Sequence, residues 1–106
     1  MKIVVLEVGR AIAADVEAQL GRPERVISYP RAVTEPEYAG IVREAYKAIA
    51  EAGRGGEEVG LVLSGPVALN FQLGQAVGLG HWKVVPYQFS AGRYRPVPPV
   101  TREAVA

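Results

Sequence analysis

Three arginines stand in loops: Arg10 after Gly9, Arg31 after Tyr29-Pro30, and Arg93 after Ser90-Ala91-Gly92. A fourth loop, Ser64-Gly65-Pro66, carries no charge but follows one apolar run and opens another. A strand that turns through Ser and Gly into a helix aims unpaired backbone N–H groups beyond the sheet. The helix dipole adds to their attraction for an anion. Guanidinium forks match phosphate oxygens two at a time. Three arginines around an N–H-rich corner therefore suit a phosphate ligand. Each arginine also reads as a solvated loop residue, and the corner as an ordinary strand-to-helix turn. Asn70 and Gln72 follow within two helical turns, and an amide both donates and accepts, as reading a base edge requires. Glu7 suits a ribose hydroxyl, although pairing with an arginine is the expected role. His81, the one histidine, is the side chain that titrates nearest neutral pH. Its place between a helix and the start of a strand puts it at the opposite rim, in a structural role. No Walker loop, GxGxxG, Ser-His-Asp set or metal cluster is present, so neither a metal nor a cofactor is expected.

The elements that position these residues follow from the pattern. Residues 2–8 are an apolar run broken by Glu7 and read as a central strand. Ile12, Val16 and Leu20 predict a short helix over 11–20, ended by Gly21 and Pro23. Residues 25–29 form a second strand. Thr34 and Glu37 match a capping box that opens a helix to about residue 52, with Ile41, Ala45 and Ile49 in its apolar stripe. Residues 58–63 are a third strand. A third helix runs from Pro66, at its first position, to about residue 79, with Ser64 as N-cap. Its Gly74 and Gly78 cost roughly 1 kcal/mol each against Ala, which predicts close approach to the sheet or to another subunit. Residues 82–89 are a fourth strand, where Pro86 marks a bulge or an edge. A four-residue turn over 90–93 and a short strand over 94–97 close an antiparallel hairpin. Pro96, Pro98 and Pro99 protect that edge. The chain is one domain over 1–97 with a loose tail over 98–106.

This alternation predicts an α/β fold: a mostly parallel sheet with helices on both faces and a C-terminal antiparallel hairpin. Ligands of such sheets sit beyond the carboxyl ends of the strands, near the switch point. All four loops named above reach that rim. Apolar residues are 49% of the 106 and charged residues 22%, as in a globular chain. A net charge of +1 gives no general affinity for polyanions, and without a basic helix linear nucleic acid is not expected. The absence of cysteine excludes disulfides and thiolate metal sites. The leading apolar run is too short for a signal peptide, and no membrane span is expected. The chain reads as cytoplasmic.

Leu63-Ser64-Gly65-Pro66-Val67-Ala68-Leu69, Leu73-Gly74, Val84-Val85-Pro86-Tyr87-Gln88-Phe89 and Tyr94-Arg95-Pro96-Val97 resemble, in that order, the closing segment of the SAVED domain. SAVED domains are relatives of the CARF domains of type III CRISPR and CBASS antiviral signalling. The resemblance covers about a third of the chain. It implies a Rossmann-like three-layer sandwich that binds cyclic oligonucleotides, usually cyclic oligoadenylates. The ligand would lie at the interface of a homodimer or larger oligomer. By position, Ser64, Gly65 and Pro66 would hold a phosphate, and Val8, Gly9 and Arg10 would form the other phosphate-facing loop. Family sensors carry a fused effector, and none is expected here. The implied role is therefore a sponge for the messenger or a ring nuclease. Ring cleavage needs no metal, because a ribose 2′-hydroxyl held in line attacks its own phosphate. Arg10, Arg31 and Arg93 are the candidates to stabilise the charge. No general base is evident, so cleavage would be slow.

Two other readings use the same residues. One is a nucleotide- or small-metabolite-acting enzyme on a flavodoxin-like scaffold, which would want an acid-base pair where the sequence offers only Glu7. The other is a non-catalytic subunit that oligomerises through the third helix and Trp82.

Overall fold

Strand β1 (Lys2–Val8) is buried from Ile3 to Val8 and forms the middle of the sheet in the computed structural model, which describes all 106 residues. Around it stand α1 (Ala13–Leu20), β2 (Arg25–Tyr29), α2 (Tyr38–Ala52), β3 (Val59–Leu63), α3 (Val67–Gly78), β4 (Val84–Ser90), β5 (Arg93–Pro96) and α4 (Arg102–Val105). The strand order is β2-β1-β3-β4-β5. Strands β1 to β4 are parallel and β5 is antiparallel to β4. This is the expected Rossmann-like three-layer sandwich.

Alternation along β1 splits the core in two. Val4, Leu6 and Val8 face α2 and α3, meeting Ile41, Ala45, Ile49, Leu69 and Leu73. Ile3 and Val5 face α1, meeting Ile12 and Val16. Gly60 on β3 leaves room on that second face. A Cβ there would lie 2.7 Å from Ile3 Cδ1 and 2.8 Å from Tyr87 Cε1. Gly60→Val is therefore expected to cost about 1–3 kcal/mol by overpacking, read as a lower midpoint in urea unfolding.

Several boundaries move for physical reasons. The capping box forms, with the Thr34 N–H donating to Glu37 Oε1 at 3.0 Å, but a 3-10 turn over Glu35–Glu37 precedes α2. Helix α1 starts at Ala13, because Glu7 caps it from β1. Strand β4 starts at Val84, because Trp82 is drawn onto the core, where its Nε1 donates to the Tyr46 hydroxyl at 2.8 Å. Pro86 is the last residue of β4 paired with β3. Beyond it the hairpin bends toward α1. Its turn has two residues, not four: Ala91 and Gly92, both at positive φ (53° and 78°). That pairing of conformations matches the right-handed strand twist. The tail is not shapeless, since Thr101 caps one turn of helix α4. No helix is long and apolar enough to cross a membrane.

Candidate functional site

The order β2-β1-β3 puts the switch point between β1 and β3, where neighbouring crossovers leave on opposite faces. The loops 9–12 and 64–66 part there and leave a cleft of about 410 Å³. Val8, Arg10, Ser64 and Gly65 form one side of it. Gly65 has φ of 122°, and a Cβ on it would lie 2.8 Å from Val8 Cβ. Only glycine lets β3 turn so tightly against β1.

This turn redirects Ser64. Its hydroxyl donates to the Arg10 carbonyl at 2.8 Å and its N–H to the Leu6 carbonyl at 2.9 Å. Ser64 therefore ties the two loops together and is not the N-cap. Pro66 holds the N-cap position in an extended conformation, with no side-chain cap. The N–H groups of Gly65, Val67, Ala68 and Leu69 have no acceptor within the chain. They are the positive end of α3. Arg10 is exposed, takes part in none of the ion pairs, and lines the same cleft.

The far wall is aromatic, and the sequence patterns did not reveal it. Tyr87, Phe89 and Tyr94 line the cleft from the bent hairpin, with Phe89 edge-on to Tyr94 at 4.9 Å between centroids. Gln19 holds the hairpin in place. Its Nε2 donates to the Gly92 carbonyl at 3.0 Å, and its Oε1 accepts from the Tyr94 N–H at 2.8 Å. Burial raises the Tyr94 pKa, as does the Asp15 carboxylate, while the Arg10 charge works the other way. The Tyr94 phenol is thus a neutral donor across the physiological range. The signal for this wall was present in the close aromatic spacing of β4 and β5, but only the bend after Pro86 aims it.

Glu7 does not pair with an arginine, and it is not open to a ribose. Its Oε1 accepts from the Ile12 and Ala13 N–H groups at 2.8 Å each, and its Oε2 accepts from the Ser28 hydroxyl at 2.7 Å. Burial pushes the carboxyl pKa up, but these three donors outweigh it and leave the pKa below the ordinary value. The anion site at the N-terminus of α1 is thereby filled from within the chain. That leaves α3 as the open one.

The three arginines do not converge. Arg31 lies beyond β2, gripping Glu37 through two N–H groups at 2.7 and 3.2 Å. That grip, with the Thr34 N–H, lowers the Glu37 pKa to about 2. Arg93 stands beside Gln19 and Leu20 at the C-terminal end of α1, outside the cleft. Asn70 points into a separate groove between α3 and β4, and Gln72 is exposed on α3 outside both. A helix turns by 100° per residue, which carries these side chains away from the cleft, and neither amide lines it. His81 lies at the opposite rim, stacked on Trp82 with centroids 5.3 Å apart. Gly9, at φ of 78°, gives its N–H to the Tyr29 carbonyl and shapes the loop without facing the cleft.

Comparison with family models, with curated proteins and with solved structures gives no match for this chain.

Proposed function

We propose that this chain binds a cyclic oligoadenylate second messenger of antiviral signalling and acts mainly as a sponge. The observation that carries the reading is a switch-point cleft lined by the unpaired guanidinium of Arg10 and by Gly65, whose free N–H leads into the uncapped N-terminus of α3. Phosphate is the ligand group that such donors suit. Tyr87, Phe89 and Tyr94 offer flat surfaces for a base, as single-stranded nucleotides favour. Of the residues that carry the SAVED resemblance, Leu63, Ser64, Gly65, Tyr87, Gln88, Phe89 and Tyr94 line this cleft, while Leu69 and Leu73 are core and Gly74, Val84, Val85 and Pro86 border the separate groove beside α3. The cleft's volume, about 410 Å³, has room for one nucleotide unit. A ring is larger, so its remaining units would lie on another copy of the chain.

Slow ring opening is the secondary activity. The 2′-oxygen would bond to phosphorus and give its proton to water as the bond to the 5′-oxygen breaks, and water would protonate the departing 5′-oxygen, leaving a linear product with a 2′,3′-cyclic phosphate and a 5′-hydroxyl. Arg10 is the one arginine placed to stabilise the charge; Arg31 and Arg93 drop out as candidates. Glu7 is committed to α1 and His81 lies at the other rim, so no side chain is poised to take the proton. Sequestration is favoured for that reason.

The test mixes the protein with cyclic tri-, tetra- and hexa-adenylate and follows both melting temperature and nucleotide integrity. One ring is expected to raise the melting temperature and stay largely intact. Arg10→Ala is expected to weaken binding by about tenfold or more, the loss of a charge-assisted contact. Arg31→Ala is expected to leave binding unchanged. No shift with any ring at about 100 μM would overturn the reading and favour the metabolite-enzyme alternative.

A further inference from the structure

We propose that the uncovered face of α3 is a self-association surface that takes a second copy of this chain. The inference stands on a different face from the cleft and does not depend on what the cleft binds.

Leu69 and Leu73 anchor α3 to the core. Around the helix from them, Val67, Phe71, Gly74 and Gly78 form one row at spacings of four, three and four. Val67 is 85% exposed and Phe71 66%, and Leu79, just past the helix, is 90% exposed. Leu79 and Val67 are the most exposed large apolar side chains in the molecule. From Val59 to Trp82 there is no Asp, Glu, Lys or Arg. The wet side of a surface helix ordinarily carries charge, as α2 does with exposed Arg43, Glu44, Lys47 and Glu51. Beside the row, no helix covers β4. An open groove of about 740 Å³ runs there between α3 and β4, reaching Pro99 and Val100 of the tail. Asn70 Oδ1 lies buried along it without a hydrogen-bond partner.

Three observations commit the surface to a second copy. The first is charge: the exposed row of α3 carries no ionised group, and the groove beside it adds only Glu58 and Lys83, of opposite sign, so the face offers little to a charged partner and does not repel itself. The second is shape. Phe71 projects, while Gly74 and Gly78 leave an open notch on the same row, where an added Cβ would meet nothing within 4 Å. A projection and a notch on one face fit each other across a two-fold axis. The glycines weaken α3, and no contact inside the chain requires them. Close approach of a second helix does. The third is area. A lone chain of this mass exposes roughly 5,700 Å², whereas this one exposes 6795 Å². The difference includes the exposed tail, and it is on the scale of the roughly 800 Å² that each partner of a standard interface buries.

Sedimentation equilibrium of the full chain, without nucleotide, tests this. The wild type is expected to dimerise with a dissociation constant of roughly 1–100 μM. Phe71→Glu is expected to weaken the dimer at least about a hundredfold, since it buries an unpaired charge. Gly74→Gln is expected to weaken it about tenfold or more while holding or raising the melting temperature, because Gln is the better helix former. It serves as the reading should Phe71→Glu fold poorly. A wild-type chain still monomeric at about 300 μM, or a well-folded variant as dimeric as the wild type, overturns the proposal. A dimer in this experiment, together with no melting-temperature shift from any of the cyclic adenylates, would overturn the cleft reading and leave this one standing.

Discussion

Glu7→Ala is expected to destabilise the protein by about 3 kcal/mol, since it leaves two helix N–H groups and the Ser28 hydroxyl without their acceptor in a buried place. For a chain of this length that corresponds to a fall of roughly 10–20 °C in melting temperature. Glu7→Gln keeps an oxygen toward Ile12 and Ala13 but loses the charge at the positive end of α1. It is expected to cost about 1 kcal/mol. The two variants together separate the hydrogen bonds from the charge. A loss under about 1 kcal/mol for Glu7→Ala would show that Glu7 is not the cap of α1. The sign of the pH effect follows from the lowered pKa. A carboxyl depressed in the folded state binds its proton more readily when unfolded. Its stabilisation is present above the ordinary value of 4.5 and fades as pH falls below it. Glu37 adds a loss of the same sign between 4.5 and about 2. Acid unfolding of Glu7→Gln is therefore expected to be less steep than that of the wild type below pH 4.5.

The second large effect is expected at Gly65. Gly65→Ala must place a Cβ 2.8 Å from Val8 Cβ and hold a φ of 122° that L residues rarely adopt. Strain and overpacking together are expected to cost about 3 kcal/mol. Gly92 supplies the comparison. It also has positive φ, 78°, but nothing lies within 4 Å of its added Cβ. Gly92→Ala is expected to cost about 1 kcal/mol, the conformational part alone. Equal losses at the two sites, measured by urea unfolding, would mean that the close approach to Val8 does not shape the corner. On the proposed function, Gly65→Ala is also expected to weaken nucleotide binding further than stability alone explains, because it moves the free N–H groups at the start of α3.

The layered fold was legible because its signals are local. The apolar run of β1, the Thr34–Glu37 box and the Ser-Gly corner each act over a few residues, and the boundaries of β1 and β2 follow the expected ones. Of the loops expected at the rim, 8–10 and 64–66 do border the candidate cleft, through Val8, Arg10, Ser64 and Gly65, and their position is legible for the same reason. What escaped were contacts that cross the chain. Gln19 reads as a wet helix residue, yet its amide fixes the hairpin 73 residues away. Glu7 reads as a strand charge seeking an arginine, and no spacing rule announces that it reaches the next helix. The arginines looked convergent because topology places loops on a rim but not along it. Arg31 is claimed by Glu37, and the bend after Pro86 carries Arg93 aside. Asn70 was assigned by its distance along α3 from the corner, whereas helical rotation decides which groove it meets.

The most direct measurement is a titration of cyclic tetra-adenylate into uniformly nitrogen-labelled protein, followed by amide chemical shifts. The expected result is that Gly65, Val67, Ala68, Leu69 and Arg10 shift most, with Tyr94 next and the rim around His81 unmoved. Shifts centred on the 53–56 loop and His81, or none at a concentration that saturates any melting-temperature change, would contradict the assignment of the switch-point cleft as the nucleotide site.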